Sequence, residues 1–263
     1  MYTTSYVKAS DVADATAKLG AADDGKFLAG GQTLLPTLKQ RLANPDQLID
    51  LAGCGLSGVS TSGDAIKIGA MTCHADVASH KDVAASNPGL AQLAGGIGDR
   101  QVRNCGTIGG SVANNDPAAC YPAAVLALGG TIHTSNRDIA ADDFFVGMFE
   151  TALDEEEIIT AVSLPNPDKS AYIKFPNPAS RYAMVGVFVA KFGDTVRVAV
   201  TGAGEDGVFR ATAIEAALSA SFDAKSLDGI SISEDGLMQD IHASPAYRAH
   251  LIVEMARRAV AAC

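Results

Sequence analysis

The first residues with recognisable chemistry form a glycine pair near the N-terminus. They read Ala29, Gly30, Gly31, Gln32 and Thr33, and they follow a short apolar run that predicts a strand. Two adjacent glycines let backbone N–H groups converge without a Cβ in the way, and such a concavity binds phosphate oxygens. The helix predicted next would direct its positive end to the same place. We interpret the segment as a candidate phosphate site, although an ordinary Gly-Gly turn would have the same sequence.

A second glycine pair repeats this arrangement later in the chain. It reads Thr107, Ile108, Gly109, Gly110 and Ser111. Two neutral amide cradles could hold the two phosphates of a dinucleotide, which suits a protein without a phosphate-loop lysine. The sequence GxxxxGK followed by Ser or Thr does not occur, and its absence argues against an ATPase. The two pairs together predict a single diphosphate site.

A third glycine-rich segment, GAGEDG at residues 202–207, matches the GxGxxG pattern of dinucleotide-binding βαβ units. Its Glu205 and Asp206 would place two negative charges beside a pyrophosphate. The strand before it is predicted to belong to a hairpin that turns at Gly193 and Asp194, whereas the dinucleotide unit needs parallel strands. We therefore interpret this segment as a β-turn.

Composition narrows the remaining classes of function. The formal net charge is -10 and no basic cluster offsets it, so nucleic acid is not an expected partner. The five cysteines form no CxxC and the five histidines form no HxxxH, so no metal or iron–sulfur site is predicted. No apolar stretch approaches the ~18 residues of a membrane span, and the N-terminus lacks a signal-peptide core. We expect a cytoplasmic protein whose redox cofactor, if it has one, is organic.

Strand and helix patterns indicate how these residues are positioned. Residues 10–51 alternate between helical and strand periodicity and predict a βαβ-like unit. Pro117 is expected in the first turn of a helix that carries the apolar residues 123–128. Four prolines between residues 165 and 178 predict a domain boundary near residue 165. Beyond it, β-rich runs and then helices are expected.

The segments AGGQT at 29–33 and QVRNCGTIGGSVANNDPAA at 101–119 resemble the FAD-binding medium subunit of molybdenum hydroxylases. That group includes carbon monoxide dehydrogenase and xanthine dehydrogenase. Further segments typical of the family follow in the same order: LIDL at 48–51, IGAMT at 68–72, EII at 157–159, YIKF at 172–175, VGV at 185–187 and YRAHL at 247–251. The resemblance therefore extends over nearly the whole chain.

The resemblance implies an α+β fold in two parts. An FAD-binding domain of the PCMH type is expected over residues 1–166, with α/β subdomains at about 1–54 and 55–166. A smaller C-terminal α+β domain is expected over residues 167–263. This division agrees with the boundary predicted from the prolines.

The resemblance also implies FAD as the cofactor, held through its pyrophosphate by both glycine segments. Ile159, Lys174 and Tyr182 match family positions near the flavin, where the fixed charge of Lys174 can stabilise an anionic reduced flavin. The chain departs from the family at Cys120, because the family sequence DPAADYPAA has aspartate there. A thiol is a weaker hydrogen-bond acceptor than a carboxylate, so Asp116 can take over that role. Both residues are expected in the site.

In function, the chain resembles an electron-transfer subunit that carries no catalytic residues for substrate chemistry. The family implies a small partner with iron–sulfur clusters and a large molybdopterin partner, assembled as a dimer of heterotrimers (a heterohexamer). Electrons would pass from the clusters to FAD and then to quinone, NAD or oxygen. A stand-alone flavin oxidase and a non-catalytic nucleotide-binding assembly module are the alternatives. An oxidase of that kind usually has a larger substrate domain than the C-terminal part of this chain.

Overall fold

The computed structural model describes residues 2–263 and contains three main sheets. Each sheet is built from a consecutive part of the chain, and helices follow or cross between the strands, which gives the predicted mixture of α and β. Within residues 2–263, no helix is both long and apolar enough to cross a membrane.

The N-terminal sheet has three parallel strands in the order β1-β3-β2. Its elements are β1 (Ser5–Lys8), α1 (Val12–Gly20), β2 (Gly25–Leu28), α2 (Leu34–Lys39) and β3 (Gln47–Asp50). Parallel neighbours need a crossover, and α1 and α2 supply it, so the βαβ-like prediction is correct. The first strand was not predicted, because only Val7 in it carries a clear apolar signal.

The second sheet has five strands in the order β4-β5-β10-β6-β7, all paired antiparallel. Helices fill the connection between β5 and β6, and a short hairpin of β8 and β9 precedes β10. The elements are β4 (Val59–Ser62), β5 (Ala65–Gly69), α3 (His74–Ser79), α4 (Lys81–Ser86), α5 (Pro88–Gly95), α6 (Arg100–Arg103), α7 (Ile108–Asn114), α8 (Tyr121–Ala127), β6 (Thr131–Thr134), β7 (Asp138–Ala140), α9 (Ala141–Phe144), β8 (Phe145–Gly147), β9 (Glu150–Thr151) and β10 (Ile159–Pro165).

The prediction for Pro117 is wrong. Pro122 stands in the first turn of α8, whereas Pro117 lies in the turn before it. There the carbonyl oxygen of Pro117 accepts hydrogen bonds from the N–H of Gly202 at 2.7 Å and the hydroxyl of Thr201 at 2.9 Å. Proline is favoured in the first turn of a helix, and the sequence offers both Pro117 and Pro122 for that position. The hydrogen bonds between Pro117 and the distant residues Thr201 and Gly202 keep Pro117 outside the helix.

The third sheet is an antiparallel meander of four strands followed by two helices. Its elements are β11 (Lys169–Pro176), β12 (Ala183–Phe192), β13 (Thr195–Gly204), β14 (Gly207–Arg210), α10 (Thr212–Ala220) and α11 (Pro245–Ala262). The segment 202–207 is the antiparallel turn between β13 and β14, with Gly204 opposite Gly207. The rejection of a βαβ dinucleotide unit there is therefore confirmed.

Both faces of the third sheet are buried, and the alternation of side chains along a strand explains this. Val185, Val187 and Val189 of β12 pack in one cluster with α10 and α11. Phe188 and Ala190 pack in another cluster with helices of the second sheet. Tyr172 of β11 belongs to this second cluster, so Lys174, two residues on, projects from the same face.

Candidate functional site

A cavity of about 620 Å³ opens where the three sheets converge. That volume lies in the range of ~300–1,000 Å³ typical of small-molecule and cofactor sites. Every residue predicted for the site lines this cavity, with the exception of Ile108. The side chain of Ile108 is fully buried in the core instead. The structure thus brings both glycine segments together with Asp116, Cys120, Ile159, Lys174 and Tyr182.

The first glycine segment, residues 29–33, connects the end of β2 to the start of α2. Gly31 has φ of +68°, a backbone conformation that favours glycine. The backbone N–H groups of Gly30, Gly31, Gln32 and Thr33 find no acceptor within residues 2–263. Gly30 and Gly31 are half-buried, whereas Gln32 and Thr33 are exposed. Half-buried backbone donors are nearly always paired, so the free N–H groups of Gly30 and Gly31 indicate a site for an external acceptor. Their arrangement ahead of a helix suits phosphate oxygens.

The two glycine segments meet backbone to backbone. A Cβ on Gly30 would lie only 2.7 Å from the Cα of Gly106, and closer still to the carbonyl oxygen of Cys105. A Cβ on Gly110 would lie 3.0 Å from Oγ1 of Thr107 and 3.4 Å from Cβ of Ala29. Glycine is therefore needed at Gly30 for close approach.

The second segment, residues 107–111, is the start of α7, and the backbone N–H groups of residues 108–111 are already used. Ile108 donates to the carbonyl oxygen of Thr72 at 3.1 Å, and Gly109 donates to that of Ala70 at 2.8 Å. The Thr107 side chain caps the helix by accepting from Gly110 N–H at 3.1 Å, and Ser111 N–H donates to the Thr107 carbonyl. The expectation of two equivalent amide cradles is therefore wrong: the first offers free amides and the second offers hydroxyls and a helix start.

Lys174 and Cys120 define another wall of the cavity. The Lys174 ammonium donates to the carbonyl oxygens of Gly96 at 2.8 Å and Arg181 at 3.0 Å, and lies 3.7 Å from Sγ of Cys120. Within residues 2–263, no carboxylate comes within 4.0 Å of this ammonium. The positive charge of Lys174 is therefore held at this wall by uncharged groups and is not neutralised by a carboxylate.

Tyr182 and Asp116 lie next to this wall. The Tyr182 side chain is 46% exposed although it lines the cavity, so it borders the opening. Partial burial raises its pKa, and the nearby Asp116 and Cys120 raise it further. Burial likewise raises the pKa of Asp116, although its carboxylate accepts a hydrogen bond from Ala118 N–H at 2.8 Å. A carboxylate that is partly desolvated gains from a new donor.

Two buried ionisable residues of the cavity wall escaped the sequence interpretation. Burial, and then the charge of Arg103, lower the pKa of His74 to about 4, so its ring is neutral. Burial alone would raise the pKa of Glu157, but hydrogen bonds from Arg137, Thr134 and the N–H of Asp154 outweigh it and lower the pKa to about 2. Neither could have been found from spacing, because their partners come from distant segments.

The features of the cavity fit FAD. Free amides and hydroxyls lie at the glycine segments, where a diphosphate needs donors. Apolar side chains such as Met71, Leu153 and Ile159 line another part of the wall, where a flavin ring could pack. A fixed cation, Lys174, stands where negative charge on a reduced ring could be stabilised.

Comparisons with known proteins agree with this fit. The sequence profile of a family described as "FAD binding domain in molybdopterin dehydrogenase" matches residues 2–167. The nicotine 6-hydroxylase medium subunit of Paenarthrobacter nicotinovorans is 35% identical over 97% of this chain and 95% of its own length. The carbon monoxide dehydrogenase medium chain of Hydrogenophaga pseudoflava is 37% identical over 74% of this chain and 73% of its own.

A solved structure of the reconstituted CO dehydrogenase from Oligotropha carboxidovorans matches over 98% of this chain and 96% of its own. Its TM-score is 0.90 and its sequence identity 30%. The family resemblance and the α+β fold expected from the sequence are both confirmed by these matches. The chain belongs to the family of FAD-binding subunits of molybdopterin-dependent dehydrogenases.

Proposed function

We propose that this chain is the FAD-carrying electron-transfer subunit of a heteromeric molybdenum hydroxylase of the carbon monoxide dehydrogenase type. The observation that carries the proposal is the meeting of the two glycine segments at one cavity. Residues 30–33, whose four N–H groups have no acceptor within residues 2–263, line this cavity together with the hydroxyl-bearing helix start at residues 107–111. A bound flavin would supply the ability to take up electrons singly and to release them in pairs.

The chain's own residues would bind and orient the cofactor. The amides of Gly30 to Thr33 would donate to the pyrophosphate, with the hydroxyls of Thr33 and Ser111 beside them. Lys174, fixed by two carbonyl oxygens, would hold positive charge near the ring. Tyr182, at the opening of the cavity, would cover the ring from solvent. Asp116 and Cys120 would complete the polar contacts on that side.

The proposed division of the chain is 1–54, 55–166 and 167–263. The extents of the sheets support it, since the strands of the first sheet span residues 5–50, those of the second 59–165 and those of the third 169–210. The family match, which ends at residue 167, also supports it. We propose a cytoplasmic complex with a small iron–sulfur subunit and a large molybdopterin subunit, as a dimer of heterotrimers.

The experiment is to purify the chain alone and after co-expression with its two partner subunits. Both preparations should contain FAD, and the co-expressed subunits should purify together with a mass of two heterotrimers. Under anaerobic conditions, the flavin absorbance of the complex should bleach with one of carbon monoxide, an aldehyde or an N-heterocycle. The chain alone should not bleach with any of them.

Three outcomes would contradict the proposal. A lone chain that oxidises a substrate with normal turnover would be a stand-alone flavin oxidase. A chain that binds no flavin, or prefers another nucleotide, would be a nucleotide-binding module. A chain that carries FAD but never joins a molybdenum subunit would not be part of a hydroxylase.

A further inference from the structure

The hairpin of β8 and β9 exposes an apolar surface. Val146 is 60% exposed, Met148 47% and Phe149 57%, and the three lie within four consecutive positions. We call these three residues the apolar tip. Single exposed apolar residues are normal on a protein surface, but a contiguous group of large ones marks an interaction site.

The apolar tip is held in place. Asn115, which ends α7 in the left-handed conformation, donates from its side-chain amide to the carbonyl oxygens of Gly147 at 2.8 Å and Glu150 at 2.9 Å. Its own carbonyl oxygen accepts from the N–H of Phe149 at 3.1 Å. Phe149 has φ of +56°, which costs free energy for a bulky residue. The hydrogen bonds to Asn115 therefore hold an exposed aromatic ring in a strained and defined position.

Unpaired carboxylates flank the tip. Residues 138–168 contain nine Asp and Glu residues; four of them pair with His133, Arg137, Arg197 or Arg210, and the other five have no cationic group within 4.0 Å in residues 2–263. Asp143 lies two residues before the hairpin and Glu150 directly follows the tip; both are exposed, and neither is within 4.0 Å of a cationic group within residues 2–263. Two copies of this chain facing each other through the tip would bring these carboxylates together and repel. The charge pattern instead fits a different protein that offers an apolar recess edged by Lys and Arg.

The hairpin is also connected directly to the cavity. Asn115, which holds it, stands between Asn114 and Asp116, and both of these line the cavity. Leu153, two residues beyond β9, lines it as well. Because electron transfer slows steeply with distance, the partner that delivers electrons must dock on a face close to the cavity.

We propose that the apolar tip is the docking site for the electron-donating partner subunit. This inference rests on the proposed function, because it requires a redox partner. The partner surface would accept Phe149 and its apolar neighbours as a buried centre, with Asp143 and Glu150 in a charged rim. The apolar centre would supply most of the affinity, and the rim would speed association and make it sensitive to salt.

The test compares surface variants of the FAD-loaded chain for binding to the purified iron–sulfur partner. Phe149→Asn removes the ring and keeps a residue that tolerates positive φ, so the hairpin can retain its shape. Combined with Met148→Gln, it should weaken binding by roughly thirtyfold, the effect of losing a hot spot. Ile241→Ser is the matched control, since Ile241 is 95% exposed elsewhere on the chain. That variant should bind like the unmodified chain.

A second variant keeps the test valid if the first one folds poorly. Glu150→Lys changes only an exposed charge and should slow association several-fold at low salt, with the difference vanishing at high salt. Unchanged affinity of both variants, with normal flavin content, would overturn the docking site while leaving the proposed function intact. Self-association or binding to lipid vesicles that depends on Phe149 would also overturn it. Failure of the unmodified chain to bind flavin or partner would instead count against the proposed function.

Discussion

The two glycine segments have nearly the same sequence pattern and different duties. Residues 29–33 leave four N–H groups without acceptors, and the Thr33 side chain makes no capping hydrogen bond to α2. The N–H groups of residues 108–111 are used internally, and Thr107 caps α7. The first segment depends on an external acceptor for its hydrogen bonds, whereas the second is complete without one. A glycine pair in sequence therefore indicates close backbone approach, and only the hydrogen bonds around it reveal whether a ligand is needed.

The largest effect is expected where the two segments touch. In Gly30→Ala, the new Cβ would overlap the backbone of Cys105 and Gly106, which cannot move like the end of a flexible side chain. The variant should lose bound FAD entirely and ~3 kcal/mol of unfolding free energy, the upper end of the usual cost of overpacking. Thermal melts and flavin absorbance measure both losses. Gly95→Ala, where the nearest atom would be 3.7 Å from the Cβ, is the control and should melt normally.

Substitution of Gly110 separates flavin binding from folding. Gly110 has an ordinary helical φ, so valine meets no backbone strain there, and the contact that must shift is the capping Oγ1 of Thr107, 3.0 Å from the new Cβ. Gly110→Val should nevertheless abolish FAD binding, because the branched side chain would extend past Thr107 and Ala29 into the cavity. Gly110→Ala should show a smaller loss of affinity in a flavin titration. Normal flavin content in the valine variant would show that this segment does not hold the cofactor.

Acid should destabilise the second segment through His74. The N–H of this residue donates to the carbonyl oxygen of Gly106, and a Cβ on Gly106 would lie 2.6 Å from its Nε2. The pKa of His74 is about 4 in the fold against 6.5 for the unperturbed group, so the unfolded chain takes up a proton below pH 6.5 that the folded chain refuses. Stability is therefore lost as the pH falls through this window.

Between pH 6.5 and 4.5 the loss should be roughly 2 to 3 kcal/mol, at 1.36 kcal/mol for each unit. Urea unfolding at several pH values measures it, and His74→Phe should remove this part of the dependence while keeping a ring against Tyr121. Protonation of Glu157 also lowers the stability of the protein, but only as the pH falls from 4.5 to about 2. Most of the effect of His74 occurs at higher pH, so the two contributions can be told apart. An identical pH dependence in His74→Phe would contradict the assignment.

The smallest effects are expected for Thr107 and Thr33. Substitution of Thr107 should lower stability, whereas substitution of Thr33 should lower FAD affinity. Thr107→Val removes the cap of α7 and should cost about 1 kcal/mol of stability in the flavin-free chain. Thr33→Val removes a hydroxyl that caps nothing, so the melting temperature of the flavin-free chain should not change. Its FAD affinity should fall about tenfold, as for a lost hydrogen bond to a charged group. If the two variants changed stability and FAD affinity to the same extent, the proposed difference between the two glycine segments would be wrong.

Local patterns sufficed for much of the fold. The strands at 131–134 and 184–192 and the long C-terminal helix follow from alternation and helical spacing, and the antiparallel nature of 202–207 follows from the hairpin before it. Seven strands were not predicted: β1, β4, β7, β8, β9, β11 and β14. Short edge strands carry few apolar residues, and the alternation in β11 is obscured because both of its faces are buried.

The sequence predicted which residues line the cavity better than it predicted how their side chains are arranged. Glycine pairs and family positions named the residues that line the cavity, yet Ile108 turned into the core because the side chains of a helix point in different directions. The carbonyl oxygens of Gly96 and Arg181 that hold Lys174, and the thiol of Cys120 beside it, come from three separate parts of the chain. Spacing along the sequence contains no information about such convergence.

The contact of Gly30 with Cys105 and Gly106 has a kinetic consequence. It joins the turn after β2 to the turn before α7, which belong to different sheets and are far apart along the chain. Contacts between distant segments pay the entropy of closing a long loop and tend to form late in folding. The cavity should therefore close only after both sheets have formed, and open before either of them unfolds. If FAD binds only the closed form, it stabilises that form and slows its local opening. The N-terminal half of the chain should then also unfold more slowly.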